Sequence, residues 1–229
     1  MTPKKTLLIS SGILGFLGVL VSVVIIAIGG GFSGPGPSIL SPPSARDLWS
    51  VGNNLTNGTR LNYSLTSGYE DHLLTNLSIS MKFIDEGKEW KVLIHLGKIR
   101  NPSIHNVTLS KVSFTPVGVL NESSERILRP VSSTIFSIRD IAREPKYLVV
   151  GAIWDTISVG TLTVPLRITK LEEVNTPAGS FQSYVLGYPI GTKDSRIYLV
   201  KGFPLPIKSE VYGANGTLEY KYELTSIGR

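Results

Sequence analysis

The sequence predicts a mainly β protein: an N-terminal transmembrane helix followed by one curved antiparallel sheet, a half-barrel, with about two short helices. Three observations predict it. Residues 7–28 form a single apolar run without a charge. From Leu61 to Leu224, apolar and polar residues alternate with a period of two in segment after segment. The breaks between those segments are short turn signals, and no second Pro/Gly-rich linker separates an early half from a late one. A single sheet of roughly ten twisted strands cannot stay flat, so it curls. The alternative arrangement is a pair of two-sheet β-sandwich domains with a boundary near Pro145.

The apolar run reads LLISSGILGFLGVLVSVVIIAI. At roughly 1.5 Å per residue it is about 33 Å long as a helix, enough to cross a hydrocarbon core of about 30 Å. A lone segment in lipid satisfies its backbone hydrogen bonds only as a helix. Lys4 and Lys5 precede it, and no Lys or Arg follows until Arg46. Positive charge stays on the cytoplasmic side, which places residues 1–6 inside as a tail and the rest of the chain outside. A cleaved signal peptide is the rival reading, with Ala27, Ile28 and Gly29 at the cleavage point. Its apolar region is normally about 7–15 residues, shorter than this one. Ser11, Gly15, Gly18 and Ser22 share one helix face, which suits close pairing with another helix.

Residues 29–46 contain a Gly/Pro/Ser linker without apolar period, and residues 47–229 are the β-rich extracellular domain. Ser44 to Gly52 has the signals of one short helix, with Ser44 as N-cap and Gly52 as stop. Leu61, Tyr63 and Leu65 then alternate with Asn62 and Ser64. Leu77, Ile79, Met81 and Phe83 share one strand face, and Asn76, Ser78, Ser80 and Lys82 the other. Asp85 to Lys88 makes a hairpin turn, and Trp90, Val92, Ile94 and Leu96 line the return strand. The next strand, Val107 to Phe114, changes phase near Ser110–Lys111, which predicts a bulge. Asn121 to Pro130 is polar and loop-like. Ser133 to Arg143 carries Ile135, Ile138 and Ile141 at helical spacing, a helix that Pro145 stops.

The second half holds strands at Tyr147–Ile157, Leu162–Ile168, Phe181–Tyr188, Arg196–Val200, Lys208–Tyr212 and Leu218–Leu224. Asn215–Gly216 is a two-residue hairpin turn. In a curled sheet, Leu218, Tyr220, Tyr222 and Leu224 face the concave side. The Ser133–Arg143 helix plugs it through Ile135 and Ile138, so these six residues would line an apolar cavity if one exists.

Composition narrows the function classes. Lys4, Lys5 and Arg46 account for three of the 23 basic residues, and the other 20 face 17 acidic ones from Asp47 onward. That balance gives no reason to invoke nucleic acid. With no cysteine, the core holds without disulfides and no lipid is attached through a thiol. Sequons Asn-x-Ser/Thr occur at Asn54, Asn57, Asn62, Asn76, Asn106, Asn121 and Asn215, seven of the ten asparagines. Ser and Thr at about one residue in five predict only about two by chance. All seven lie on the side expected to be external, where glycans attach. Asn54, Asn57 and Asn62 follow the linker directly and are expected to be modified. A cysteine-free glycosylated ectodomain on a signal-anchor fits an archaeal cell surface best.

Chemistry is sparse. There is no Gly-x-Ser-x-Gly elbow, no His-Glu-x-x-His and no phosphate loop. His72, His95 and His105 have no metal-ligand spacing. Asp85–Glu86 and Glu172–Glu173 sit at turns, where solvation explains them. The basic residues Arg126, Arg129, Arg139, Arg143 and Lys146 bracket the expected helix and suit lipid head groups or an acidic partner, with Asp140 and Glu144 partly offsetting them. No catalytic, cofactor or metal site is expected, and the reading is not an enzyme.

The C-terminal third carries a more specific pattern. It runs from Leu171 through Glu172, Glu173, Val174, Asn175 and Thr176 to a Pro177-Ala178-Gly179 turn, then Phe181 to Val185. Arg196–Glu210, RIYLVKGFPLPIKSE, and a last strand ending Tyr222–Ile227 follow. This order resembles the closing strands of half-barrel envelope proteins related to the bacterial lipoprotein carriers of the LolA and LppX type. The resemblance covers about 60 residues and implies a strongly curved sheet wrapping an apolar cavity plugged by helices. It transfers no functional residue. The chain departs from those soluble carriers in its anchor and in lacking an acylated cysteine.

These readings converge on a single-pass protein of the cell membrane with its C-terminal domain outside. It acts by binding, as an accessory or structural subunit of a cell-envelope complex. The alternative is a domain that holds a lipid or other apolar ligand in a half-barrel cavity.

Overall fold

The computed structural model describes residues 44–70, 73–97, 104–159, 162–190 and 192–229. The apolar run 7–28, the face of Ser11, Gly15, Gly18 and Ser22, and His72 lie outside the described residues. Among the described residues no helix is long and apolar enough to cross a membrane.

Strands β1 (Leu48–Trp49), β2 (Arg60–Glu70), β3 (Leu73–Glu86), β4 (Glu89–Gly97) and β5 (Ile104–Ser110) come first. Helix α1 (Glu122–Ser132), a 3₁₀ turn (Ile135–Ser137) and the one-turn α2 (Ile138–Ile141) follow. The chain then adds β6 (Lys146–Tyr147), β7 (Ile153–Val159), β8 (Leu162–Thr176), β9 (Gly179–Ile190), β10 (Lys193–Leu199), β11 (Lys208–Tyr212) and β12 (Leu218–Gly228). Among the described residues β1 pairs only with β6. The other ten strands make one antiparallel sheet in the order β5-β4-β3-β2-β12-β11-β10-β9-β8-β7.

The junction is the β12–β2 ladder, where Tyr222 faces Leu65 and Leu224 faces Tyr63. It joins strands from both sides of the helical segment, so the one-sheet expectation holds and the two-sandwich alternative does not. The pleat explains the core. Phe83, Val92 and Val107 stand side by side across three strands, as do Ile79, Tyr63 and Leu224. All six are buried, each worth about 1.5–3 kcal/mol as area removed from water.

The second half departs from one-sided burial. Val185 and Leu186 are both buried, as are Tyr198 and Leu199, although neighbours along a strand point to opposite faces. Val185 and Tyr198 pair with Lys170 and Lys208, residues long enough for their methylene stems to lie over an apolar neighbour. The β8–β9 ladder ends at Arg167–Gly187. In the continued register Pro165 would face Pro189, and neither has an N–H to offer.

Three local expectations are corrected. Ser44 does cap a helical turn, with Asp47 completing a capping box, but the turn is 3₁₀ and stops after Asp47. β1 replaces the rest because Trp49 is drawn into the core and pairs with Lys146. The phase change near Ser110–Lys111 is a chain reversal, not a bulge. Ser110 Oγ accepts from Val112 and Ser113 N–H, and Phe114, at φ 56°, returns its ring to the core. The segment then folds back on β5, with Val117 N–H bonded to Thr108 O. Finally, the longer helix is Glu122–Ser132, not Ser133–Arg143. Asn121 Oδ1 caps it by accepting from Ser124 N–H at 2.8 Å. Pro130 sits inside its last turn, and Thr134 Oγ1 donates back to Pro130 O at 2.5 Å.

A strap from Ser44 to Leu55 clamps two distant loops. Leu148 N–H donates to Asp47 O, Gly52 N–H to Pro204 O, Trp49 Nε1–H to Phe203 O and Asn54 Nδ2–H to Gly202 O. The Asp47 carboxylate also accepts from Lys201 Nζ at 2.9 Å and from Ser44 N at 3.0 Å. Lys201 first, then Ser44, hold its pKa down at about 2, against an ordinary 3.8. A carboxylate depressed in the fold stabilises it above its unfolded pKa. The clamp is therefore intact above pH 4 and loosens as pH falls from about 4 through about 2. Protection of the amides at residues 45–50, measured against their intrinsic exchange rates, should fall across that window, and Asp47→Asn should remove that fall.

Candidate functional site

Most of the residues expected on the concave face are buried. Tyr63, Tyr222, Leu224, Ile135 and Ile138 all belong to one buried cluster with Trp49, Phe136 and Leu128. Of the six expected cavity residues, Tyr220, Tyr222, Leu224, Ile135 and Ile138 are buried in that cluster and Leu218 is half-buried. Tyr63 OH donates to Pro206 O at 3.1 Å, and its ring meets Tyr222 edge-on at 5.9 Å. Burial pushes both phenols far above the ordinary tyrosine value, so neither exchanges a proton near neutral pH.

A groove of about 390 Å³ lies elsewhere, between α1 and the segment before it. Pro116, Leu120, Leu128 and Ser132 line it, with the exposed Glu125–Arg129 pair (3.7 Å) beside them. The preceding segment exposes Val112, Val117 and Val119, the last fully. Sequence reading missed this groove because it took 121–130 for a loop. The available signal was Asn121 as N-cap with Ile127, Leu128 and Val131 on one face.

The basic run does not act as one patch. Arg129 pairs with Glu125, while Arg139 turns inward and donates from Nη1 to Phe114 O at 3.0 Å. Arg139 Nε is buried without a hydrogen-bond partner, 3.9 Å from Asp140 Oδ1. Arg126 and Arg143 are exposed. Among the described residues no three His, Asp or Glu side chains converge as metal ligands. His95 and His105 lie on β4 and β5, in neighbouring rows of the same ladder.

Six sequon asparagines, Asn54, Asn57, Asn76, Asn106, Asn121 and Asn215, are exposed, and Asn62 is half-buried. Asn62, Asn76 and Asn106 stand on the sheet face opposite Tyr63, Leu77 and Val107. That face of β2–β5 carries Ser64, Thr66, Ser78, Ser80 and Thr108, together with the charged Arg60, Lys82, Glu86, Glu89 and Lys91 nearer one end. The corresponding face of β8–β12 carries Lys170, Arg196, Lys208, Glu210, Lys221 and Glu223. No sequon falls between Asn121 and Asn215. The sheet's two outer strands also differ. The 115–117 segment folds against β5, whereas β7 has no further strand beyond it among the described residues. Beside β7, Tyr147, Val150 and Ile153 are exposed.

No known protein family matches the chain, and no curated protein matches it. Solved structures with a partial likeness of strand arrangement do exist. One is a candidate exported protein with a YmcC-like fold from Bacteroides fragilis, at 14% identity and a TM-score of 0.36, covering 80% of this chain and all of that one. A candidate lipoprotein from Parabacteroides distasonis is 12% identical with a TM-score of 0.37, covering 78% of this chain and 99% of that one. A chain of the Pseudomonas aeruginosa MucA/MucB complex is 11% identical with a TM-score of 0.37, covering 74% of this chain and 50% of that one.

Proposed function

We propose that the chain is a single-pass membrane protein whose outer domain binds a protein partner as an accessory or structural subunit of a cell-envelope complex. Residues 1–6 are the cytoplasmic tail, 7–28 the membrane helix, 29–46 the linker and 47–229 a glycosylated half-barrel domain. One observation carries the binding role. The apolar face of the sheet shares one buried cluster with the strap and with the residues after α1, while apolar side chains are exposed at Val112, Val117 and Val119 and beside β7. A filled core with exposed apolar surface favours a protein partner over an enclosed ligand. The sequon-free strands β7–β10 are the side that glycans would leave uncovered.

Gentle solubilisation of the native protein, with mass spectrometry of what comes with it, tests the role. A protein recovered in fixed ratio supports the accessory subunit, and its loss on Ile153→Lys would place the contact beside β7. A bound lipid in fixed ratio, with no protein, would overturn it in favour of the apolar-ligand alternative. The groove beside α1 would then be where that ligand sits.

Topology has its own test. Protease added to intact cells should cut within residues 44–229 and leave residues 1–6 protected, because Lys4 and Lys5 hold the tail inside. Full protection of the outer domain would refute the orientation.

A further inference from the structure

The seven sequons are not equivalent in the folded protein. Asn54 has its amide nitrogen engaged, with Nδ2 donating to Gly202 O at 2.9 Å. Asn62 Nδ2 likewise donates to Ser226 Oγ at 2.6 Å. Asn57 is held through Oδ1 by Asp85 N–H at 3.0 Å, and its neighbour Gly58 donates to Phe83 O. Asn76 and Asn106 lie within strands that are laddered to their neighbours, and Asn121 caps α1. A transferase that must reach the nitrogen and bend the backbone around it meets tertiary or helical structure at each of these six.

Asn215 differs. It sits at the tip of the β11–β12 hairpin and is exposed, as is Thr217. Its Oδ1 accepts from Thr217 N–H at 3.0 Å and from Thr217 Oγ1–H at 2.6 Å, which leaves Nδ2 without a hydrogen bond among the described residues. The remaining backbone bonds of the turn, Gly213 N–H to Thr217 O and Gly216 N–H to Gly213 O, also stay within residues 213–217. The tip can deform inside a transferase without breaking a contact to the rest of the sheet. Asn and the hydroxyl two residues on are already side by side.

We infer that Asn215 is the acceptor glycosylated on the folded protein, ahead of the Asn54, Asn57 and Asn62 cluster expected from position alone. This rests on the outward-facing reading of the domain. The co-substrate is an oligosaccharide carried on a lipid phosphate or diphosphate. Asn215 Nδ2 bonds to the sugar C1 and gives up one proton, while the C1–O bond breaks and the lipid phosphate leaves with its electron pair.

Glycopeptide mass spectrometry on protein purified from the cells that naturally make it reads all seven occupancies. Occupancy at Asn215 should exceed that at Asn54 and Asn62 several-fold. Thr217→Ala should abolish it without changing the other sites or the melting temperature, and Thr217→Ser should restore it. Glycans on other sites with Asn215 bare, or equal occupancy throughout, would overturn the inference while leaving the surface-glycoprotein reading intact. Seven bare asparagines would overturn both, and protease accessibility on intact cells would still report the orientation.

Discussion

Replacing Trp49 with alanine should lower the melting temperature of the full chain by about 10 °C or more. The indole is completely buried, stacks on Trp154 at a centroid distance of 5.8 Å and donates from Nε1 to Phe203 O at 2.9 Å. Removing a buried tryptophan costs about 3–5 kcal/mol, through lost apolar burial and the cavity left behind. The hydrogen bond adds to this, because Phe203 O then stays unpaired unless water enters. Trp49→Phe keeps most of the area and loses only the donor, so its cost should be about 1–2 kcal/mol. Thermal melting followed by circular dichroism in detergent measures both. A Trp49→Ala shift no larger than that of the fully exposed Val119→Ala would show that the strap does not support the sheet.

Gly52→Ala should be nearly as damaging despite adding one carbon. Gly52 has φ 75°, and a Cβ there would lie 2.2 Å from Phe114 Cε2 and 2.8 Å from Cζ. The ring cannot retreat. Phe114 is completely buried, with Phe136 at 5.7 Å and Phe83 at 6.2 Å between centroids. Left-handed backbone costs about 1–2 kcal/mol for an L residue, and overpacking a filled core about 1–3 kcal/mol more. Gly87→Ala separates the two terms, because Gly87 has φ 77° but nothing within 4 Å of its Cβ position. It should cost only the backbone part. In Phe114→Ala, the added cost of Gly52→Ala should fall to that same part. Equal costs for Gly52→Ala in the two backgrounds would rule out the ring contact.

The strands were legible because a strand's side-chain period is local. Trp90, Val92, Ile94 and Leu96 alternate in the sequence and are buried in the same alternation. The hairpins at Gly87 and Gly216 were equally legible, since each turn needs a glycine at positive φ. The helix was not. Its residues from Glu122 to Pro130 read as polar loop, while its apolar face is only Ile127, Leu128 and Val131. That face has meaning only against the strands it packs on, β5 and β4. The likeness to half-barrel proteins rested on the chain after Leu171, where the hairpins are local, and it did not extend to the strap.

What the sequence determined by itself is the content of the sheet: which residues alternate, where the turns fall, which asparagines have a hydroxyl two positions on, and that 7–28 is uncharged. Each is a relation among residues a few positions apart. Only the tertiary structure decided that β12 lies between β2 and β11, that the strap and the apolar face share one buried cluster, and that six sequons are tied down while Asn215 is not. Those depend on pairs such as Trp49 with Phe203, 154 residues apart, and Asn62 with Ser226, 164 apart. No local period encodes such pairs. They form because one face of ten strands has a single volume to fill, and the side chains that fill it come from wherever the chain returns.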